Sequence, residues 1–165
     1  MPDDHRFLLQ RVQPAMVGLI DGSLSTLAPI FGIALATHKP LFAFVAGLVT
    51  AIGAGVSMGF SEGLSDTGEL TGRGNPLGRG AITGGGTFIG GILHTLPFLI
   101  PHYGVAIVTA VVVVAIELIV LAWLRARYFE DTFVRALAIV TLAGIIIAGV
   151  SAGLGQLIGG GSAAG

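Results

Sequence analysis

Of the 165 residues, 53% are hydrophobic and only 10% are charged, against roughly 25% charged in an ordinary soluble domain. The mean hydropathy is +0.92, which excludes a soluble globular domain and points to an integral membrane protein. The net charge of −1 argues against a nucleic-acid-binding face, and the absence of cysteine excludes disulfides, thiolate metal sites and cysteine nucleophiles.

Residues 1–13 read as a short cytoplasmic lead-in. They have mixed charge and lack the apolar core and small-residue cleavage site of a secretory signal. A spanning helix needs roughly 20 mostly apolar residues, and five segments qualify, at about 14–37, 41–63, 80–101, 103–124 and 135–158. The breaks between them are His38-Lys39-Pro40, the polar stretch Leu64 to Arg79, Pro101-His102, and Arg125 to Val134. Residues 159–165 read as a flexible tail. The expected fold is therefore an all-α membrane protein of five transmembrane helices.

Basic residues in short loops set the direction of insertion. Arg6, Arg11, Arg73, Arg79, Arg125, Arg127 and Arg135 fall on one side and Lys39 alone on the other. The N-terminus is then cytoplasmic and the C-terminus outside. Trp123, Tyr128 and Tyr103 fit interfacial aromatic belts.

Asp21 lies seven residues inside the first span. A carboxylate in hydrocarbon costs about 2.5–3.5 kcal/mol on insertion scales, so such groups line pathways or meet partners. At about 1.5 Å rise per residue, Asp21 and Glu117 both lie about 10 Å from the cytoplasmic face. Met58 and Glu62 fall in the same layer or slightly nearer the cytoplasm. Met58, Glu62, Asp66 and Glu69 are spaced 4, 4 and 3, which places them on one face if the helix continues past the membrane. Such a ladder attracts cations, and the thioether favours transition metals over Mg²⁺ or Ca²⁺. Asp21, Met58, Glu62, Asp66 and Glu69 are the expected metal-binding residues. Glu117, His94 and Ser25 are candidates for proton coupling or for the lining of a pathway.

Plainer roles exist for each. Asp21 can pair with Ser25 one turn on; Glu62 can be solvated at the interface; Glu117 can be a protonated structural acid. Methionine is a common core filler, Asp66 and Glu69 sit in a polar loop, and His94 can be a hydrogen-bonded core histidine. Gly55-x-x-x-Gly59, Gly59-x-x-x-Gly63, Gly86-x-x-x-Gly90 and Gly149-x-x-x-Gly153 allow close helix approach. Pro29 is expected to kink the first span above Asp21.

The stretch Asp21 to Gly32 (DGSLSTLAPIFG) resembles the first transmembrane helix of the vacuolar iron transporter family. Ala54 to Glu62 (AGVSMGFSE) resembles its second, where a Ser-Met pair precedes a glutamate by one turn. Ser57-Met58-Gly59-Phe60, Gly72-Arg73-Gly74 and Leu96 to His102 look most like the membrane domain of the bacterial membrane-bound ferritin-like, rubrerythrin-type members. The resemblance implies export of Fe²⁺ or Mn²⁺ from the cytosol by proton antiport. It also implies a homodimer whose pathway runs along the two-fold axis, lined by Asp21, Met58 and Glu62.

Two departures are visible. Only about 16 residues join the second and third spans, where plant and protist members carry a metal-binding helical region. The 13 residues before the first span are too few to form a ferritin-like domain, and they contain no Glu-x-x-His pair for a di-iron site.

The leading expectation is a Fe²⁺/Mn²⁺ exporter with no tightly bound cofactor, in a bacterial inner membrane. Its partners would be the lipid bilayer, a second copy, the metal ions and a separate ferritin-like protein. The alternative is a membrane anchor for such a ferritin-like partner, without transport of its own. No Ser/His or His/His constellation is spaced for catalysis, so an enzyme is not expected.

Overall fold

The computed structural model describes residues 3–129 and 131–162. It is helical, without a strand among the described residues. The elements are α1 (Asp3–Phe7), a π-helical turn at Leu8–Val12, α2 (Gln13–Ser25), α3 (Leu27–Thr37), α4 (Pro40–Ser65), α5 (Pro76–Leu93), a 3₁₀ turn at Leu96–Leu99, α6 (Tyr103–Tyr128) and α7 (Phe133–Ser162). Among the described residues, four helical stretches are long and apolar enough to cross a membrane: His5–Thr37, Pro40–Ser65, Tyr103–Tyr128 and Phe133–Leu157. Their outward side chains are apolar, as Val108, Val112, Ile116 and Ile119 are on α6. Water would penalise such a surface, whereas lipid does not.

The expected lead-in is helical from Asp3 and runs into the first span. The first span breaks at Thr26, one turn before Pro29. Pro29 has no N–H for the Ser25 carbonyl. Thr26 Oγ1 also donates back to the Gly22 carbonyl at 2.8 Å, a bond that bends helices. The third expected span ends early, at Leu93. Pro97 cannot continue a helix, since it lacks the N–H and its ring would strike the Leu93 carbonyl, so the chain turns through His94 and Thr95 into the 3₁₀ turn. At the other end α7 continues to Ser162, through the first residues of the expected tail; the last three lie outside the described residues.

The helix α5 is not among the four apolar stretches. It is rich in glycine and threonine and is inserted between α2 and α4. A Cβ on Gly22 would strike the Thr87 backbone, and one on Gly18 the Thr83 carbonyl. On the opposite side, a Cβ on Gly84 would come within 2.5 Å of the Gly55 carbonyl, and one on Gly80 within 2.5 Å of the Gly59 carbonyl. Small residues on both sides let three backbones approach closely. A Cβ on Gly149 or Gly153 would meet nothing within 4 Å among the described residues.

Two apolar clusters complete the packing. Ile30, Ala34, Ala43, Phe98, Ala106 and Ala110 fill one end of the molecule. Met16, Leu118, Leu121 and Val140 join α2, α6 and α7. The α6–α7 loop is closed by Arg125 Nε donating to Asp131 Oδ2 at 3.0 Å.

Candidate functional site

Six of the eight residues singled out in the sequence fall into three places, with Met58 and Glu69 lying apart from them. The first is a cluster of two acids and two arginines at the end of α4. Helix α4 stops at Ser65 because Asp66 is extended (φ −159°, ψ 157°). The Asp66 carboxylate accepts from the Gly68 N–H, a turn that competes with the helix. The continuous face from Met58 to Glu69 therefore does not form: Glu69 lies in the following turn and is exposed. The chain instead folds back through Gly68, Gly72 and Gly74, all at positive φ, where a side chain would be strained.

That return brings two arginines onto the acids. Arg73 donates to Glu62 Oε1 at 2.7 Å and to Asp66 Oδ2 at 3.0 Å. Arg79, from the first turn of α5, donates to Glu62 Oε1 at 2.8 Å, to the Gly74 carbonyl at 3.0 Å and to the Asp66 carbonyl at 3.1 Å. The Arg79 side chain is 1% exposed and that of Arg73 22%. Partial burial pushes the Asp66 carboxyl up. The hydrogen bonds from Thr71, Arg73 and the Gly68 N–H, with the charge of Arg79, outweigh it and hold the group below its ordinary 3.8. Two carboxylates thus meet two guanidiniums, and the cluster is neutral.

The second place is Asp21. It is half-buried on α2, one turn from the exposed Val17, and forms no salt bridge among the described residues. Ser25, one turn on, has a buried hydroxyl with no hydrogen-bond partner among the described residues. Met58 is half-buried on α4, which α5 separates from α2 at the level of Gly18 and Gly22. Among the described residues, no group of three or more His, Asp or Glu is placed to hold a metal ion.

The third place is deep between helices. His94 follows α5, and its Nδ1 lies 2.7 Å from Glu117 Oε2 on α6. Its Nε2 lies 2.6 Å from Thr26 Oγ1 at the α2–α3 break. Glu117 therefore meets the first span beyond Asp21, at Thr26, with His94 between them. Sequence reasoning paired neither acid with its partner. Arg79 was counted there only for the direction of insertion, Arg73 for that and for the Gly72-Arg73-Gly74 resemblance, and Thr26 carried no signal of its own.

Comparison with protein-family models, curated proteins and solved structures finds no match to this chain.

Proposed function

We propose that this protein is the transport subunit of a proton-coupled exporter of divalent transition-metal ions, Fe²⁺ or Mn²⁺, working as a homodimer in a bacterial inner membrane. The observation that carries this reading is Asp21. It is a half-buried carboxylate without an ion-pair partner among the described residues, in an apolar helix and on a stripe that also exposes Val17. A charge so placed is costly unless it serves a pathway. A second copy related by a two-fold axis would cover the stripe and bring two Asp21 carboxylates to one cavity. The resemblance of the first two spans to the vacuolar iron transporter family supports the same arrangement.

In this reading α5 is the fifth crossing element. Its polar backbone is sheathed by α2 and α4, so it need not face lipid. The arginine-rich loops lie in the cytoplasm and the C-terminus outside. The metal arrives at the cytoplasmic end of α4. Glu62 and Asp66 bind it only after Arg73, the more exposed of the two arginines, swings away; Met58, one turn deeper on the same helix, offers a soft donor. The neutrality of the acid–arginine cluster favours a second reading, an anchor for a soluble ferritin-like partner, in which these acids are structural.

Equilibrium Mn²⁺ binding to the purified protein, followed by loss of the free-ion EPR signal, separates the two. The exporter reading predicts saturable binding that Asp21→Asn abolishes. No binding by a folded dimer would favour the anchor.

A further inference from the structure

The His94–Glu117–Thr26 assembly is polar, buried and remote from the acid–arginine cluster. The exposures are 1% for His94, 9% for Glu117 and 0% for Thr26. The geometry assigns most of its protons. The Thr26 hydroxyl has one hydrogen, and it points to the Gly22 carbonyl, which can only accept. Thr26 Oγ1 must therefore accept from His94 Nε2–H. That fixes the tautomer and turns Nδ1 towards Glu117 Oε2. A single proton occupies this 2.7 Å gap, either on nitrogen as an imidazolium–carboxylate pair or on oxygen as a neutral imidazole and carboxylic acid. Both forms have no net charge, so the pair is tolerable inside a membrane.

The pair is not a fully satisfied structural bridge. Glu117 Oε1 is buried and has no hydrogen-bond partner among the described residues. A half-satisfied buried carboxyl is a poor way to join helices, and neutral groups of the same shape would join them at less cost. The assembly also stands almost alone. Within the apolar layer, α2 carries Asp21, α6 carries only Glu117, and α3 and α7 beyond Arg135 carry no titratable side chain. Glu62 on α4 and Arg79 on α5 sit at the cytoplasmic ends, and Tyr103, His38 and His102 at the opposite end. Asp21 precedes Thr26 by five residues, about 8 Å along the helix axis.

We propose that His94 and Glu117 form a proton-binding site separate from the metal-binding acids, with one exchangeable proton held between Nδ1 and Oε2 and its tautomer set by Thr26. This rests on the transport reading above. When a divalent ion occupies Asp21, the shared proton leaves to water and the pair becomes anionic. When the ion leaves, a proton returns and the pair is again neutral. One proton moves per cycle, and no covalent bond other than N–H or O–H changes.

Two experiments decide it. The first follows Mn²⁺ flux in proteoliposomes driven by a metal gradient alone, and then with an added pH gradient. Glu117→Gln keeps the shape and a hydrogen bond to His94 but holds no exchangeable proton. The expected result is flux under the metal gradient with loss of the response to the pH gradient. A response equal to that of wild type overturns the proton site while leaving transport intact; no flux in wild type defeats the transport reading instead. The second needs no transport. In ¹⁵N-histidine NMR of the wild-type protein, with His94→Gln used only for assignment, the His94 Nδ1 resonance should move reversibly as the pH is changed, because loss of the shared proton removes the hydrogen bond across this gap whichever atom holds it. An Nδ1 resonance that does not move over the pH range in which the protein stays folded overturns the proposal whatever the flux shows.

Discussion

Arg79 and Arg73 touch the same two carboxylates from different depths, so replacing each with methionine should have very different consequences. The Arg79 side chain is 1% exposed and makes hydrogen bonds to Glu62, Gly74 and Asp66. Removing one partner of a buried ion pair costs about 3–5 kcal/mol, because the other charge is left uncompensated. Arg73 is 22% exposed, and water screens what it leaves behind, so its loss should cost about 1 kcal/mol. At roughly 2–4 °C per kcal/mol for a chain of this size, Arg79→Met should lower the melting temperature by roughly 6–20 °C and Arg73→Met by roughly 2–4 °C. Thermal unfolding in detergent, read by far-ultraviolet circular dichroism, measures both. Adding Glu62→Gln to Arg79→Met should recover part of the loss, since it removes the stranded charge. Equal losses for the two arginines, or an Arg79→Met protein as stable as wild type, would refute the claim that Arg79 is the buried anchor of this cluster.

Glycine positions should separate just as sharply. Gly22→Val places atoms against the Thr87 backbone and should destabilise by about 1–3 kcal/mol or prevent folding. Gly53→Ala meets nothing within 4 Å and should be neutral or stabilise by roughly 0.5–1 kcal/mol; melting temperatures in one detergent compare them. Acidification should weaken the loops. Asp66 is held low as described above. Asp131 is held low first by the Arg125 hydrogen bond, which with the Thr132 N–H and the charges of Arg135 and Arg125 outweighs the upward push of burial. A depressed carboxyl contributes stability that is fully present above its ordinary value and is lost as pH falls below it. Melting temperature should therefore fall as pH drops through and below 3.8, and fall less steeply in Asp66→Asn.

Much of the helical layout was legible because hydropathy and proline are local signals. The break at His38-Lys39-Pro40 lies where expected, and Pro29 does interrupt the first span, although the break shows at Thr26. The third span was misjudged in length because its apolar residues continue past Leu93, while Pro97 forbids the helix from doing so. The acid face failed for a similar reason: spacing alone continued α4 to Glu69, but an Asp66 carboxylate bonded to the next turn ends it at Ser65. The packing role of Gly18 and Gly22 was missed because it depends on Thr83 and Thr87 arriving from another helix. Long-range partners are the least legible of all. Glu62 to Arg79 and Glu117 to His94 are pairings that no periodicity encodes, and they change what the acids are free to do.

The central claim is that a divalent metal crosses the membrane through this protein past Asp21. The direct test is Mn²⁺ uptake into proteoliposomes, read by an internal fluorescent chelator, for wild type and Asp21→Asn at matched folding and orientation. Saturable uptake in wild type and none in Asp21→Asn is the expected result. Equal uptake in both proteins, or none in a well-folded wild type, would contradict the account.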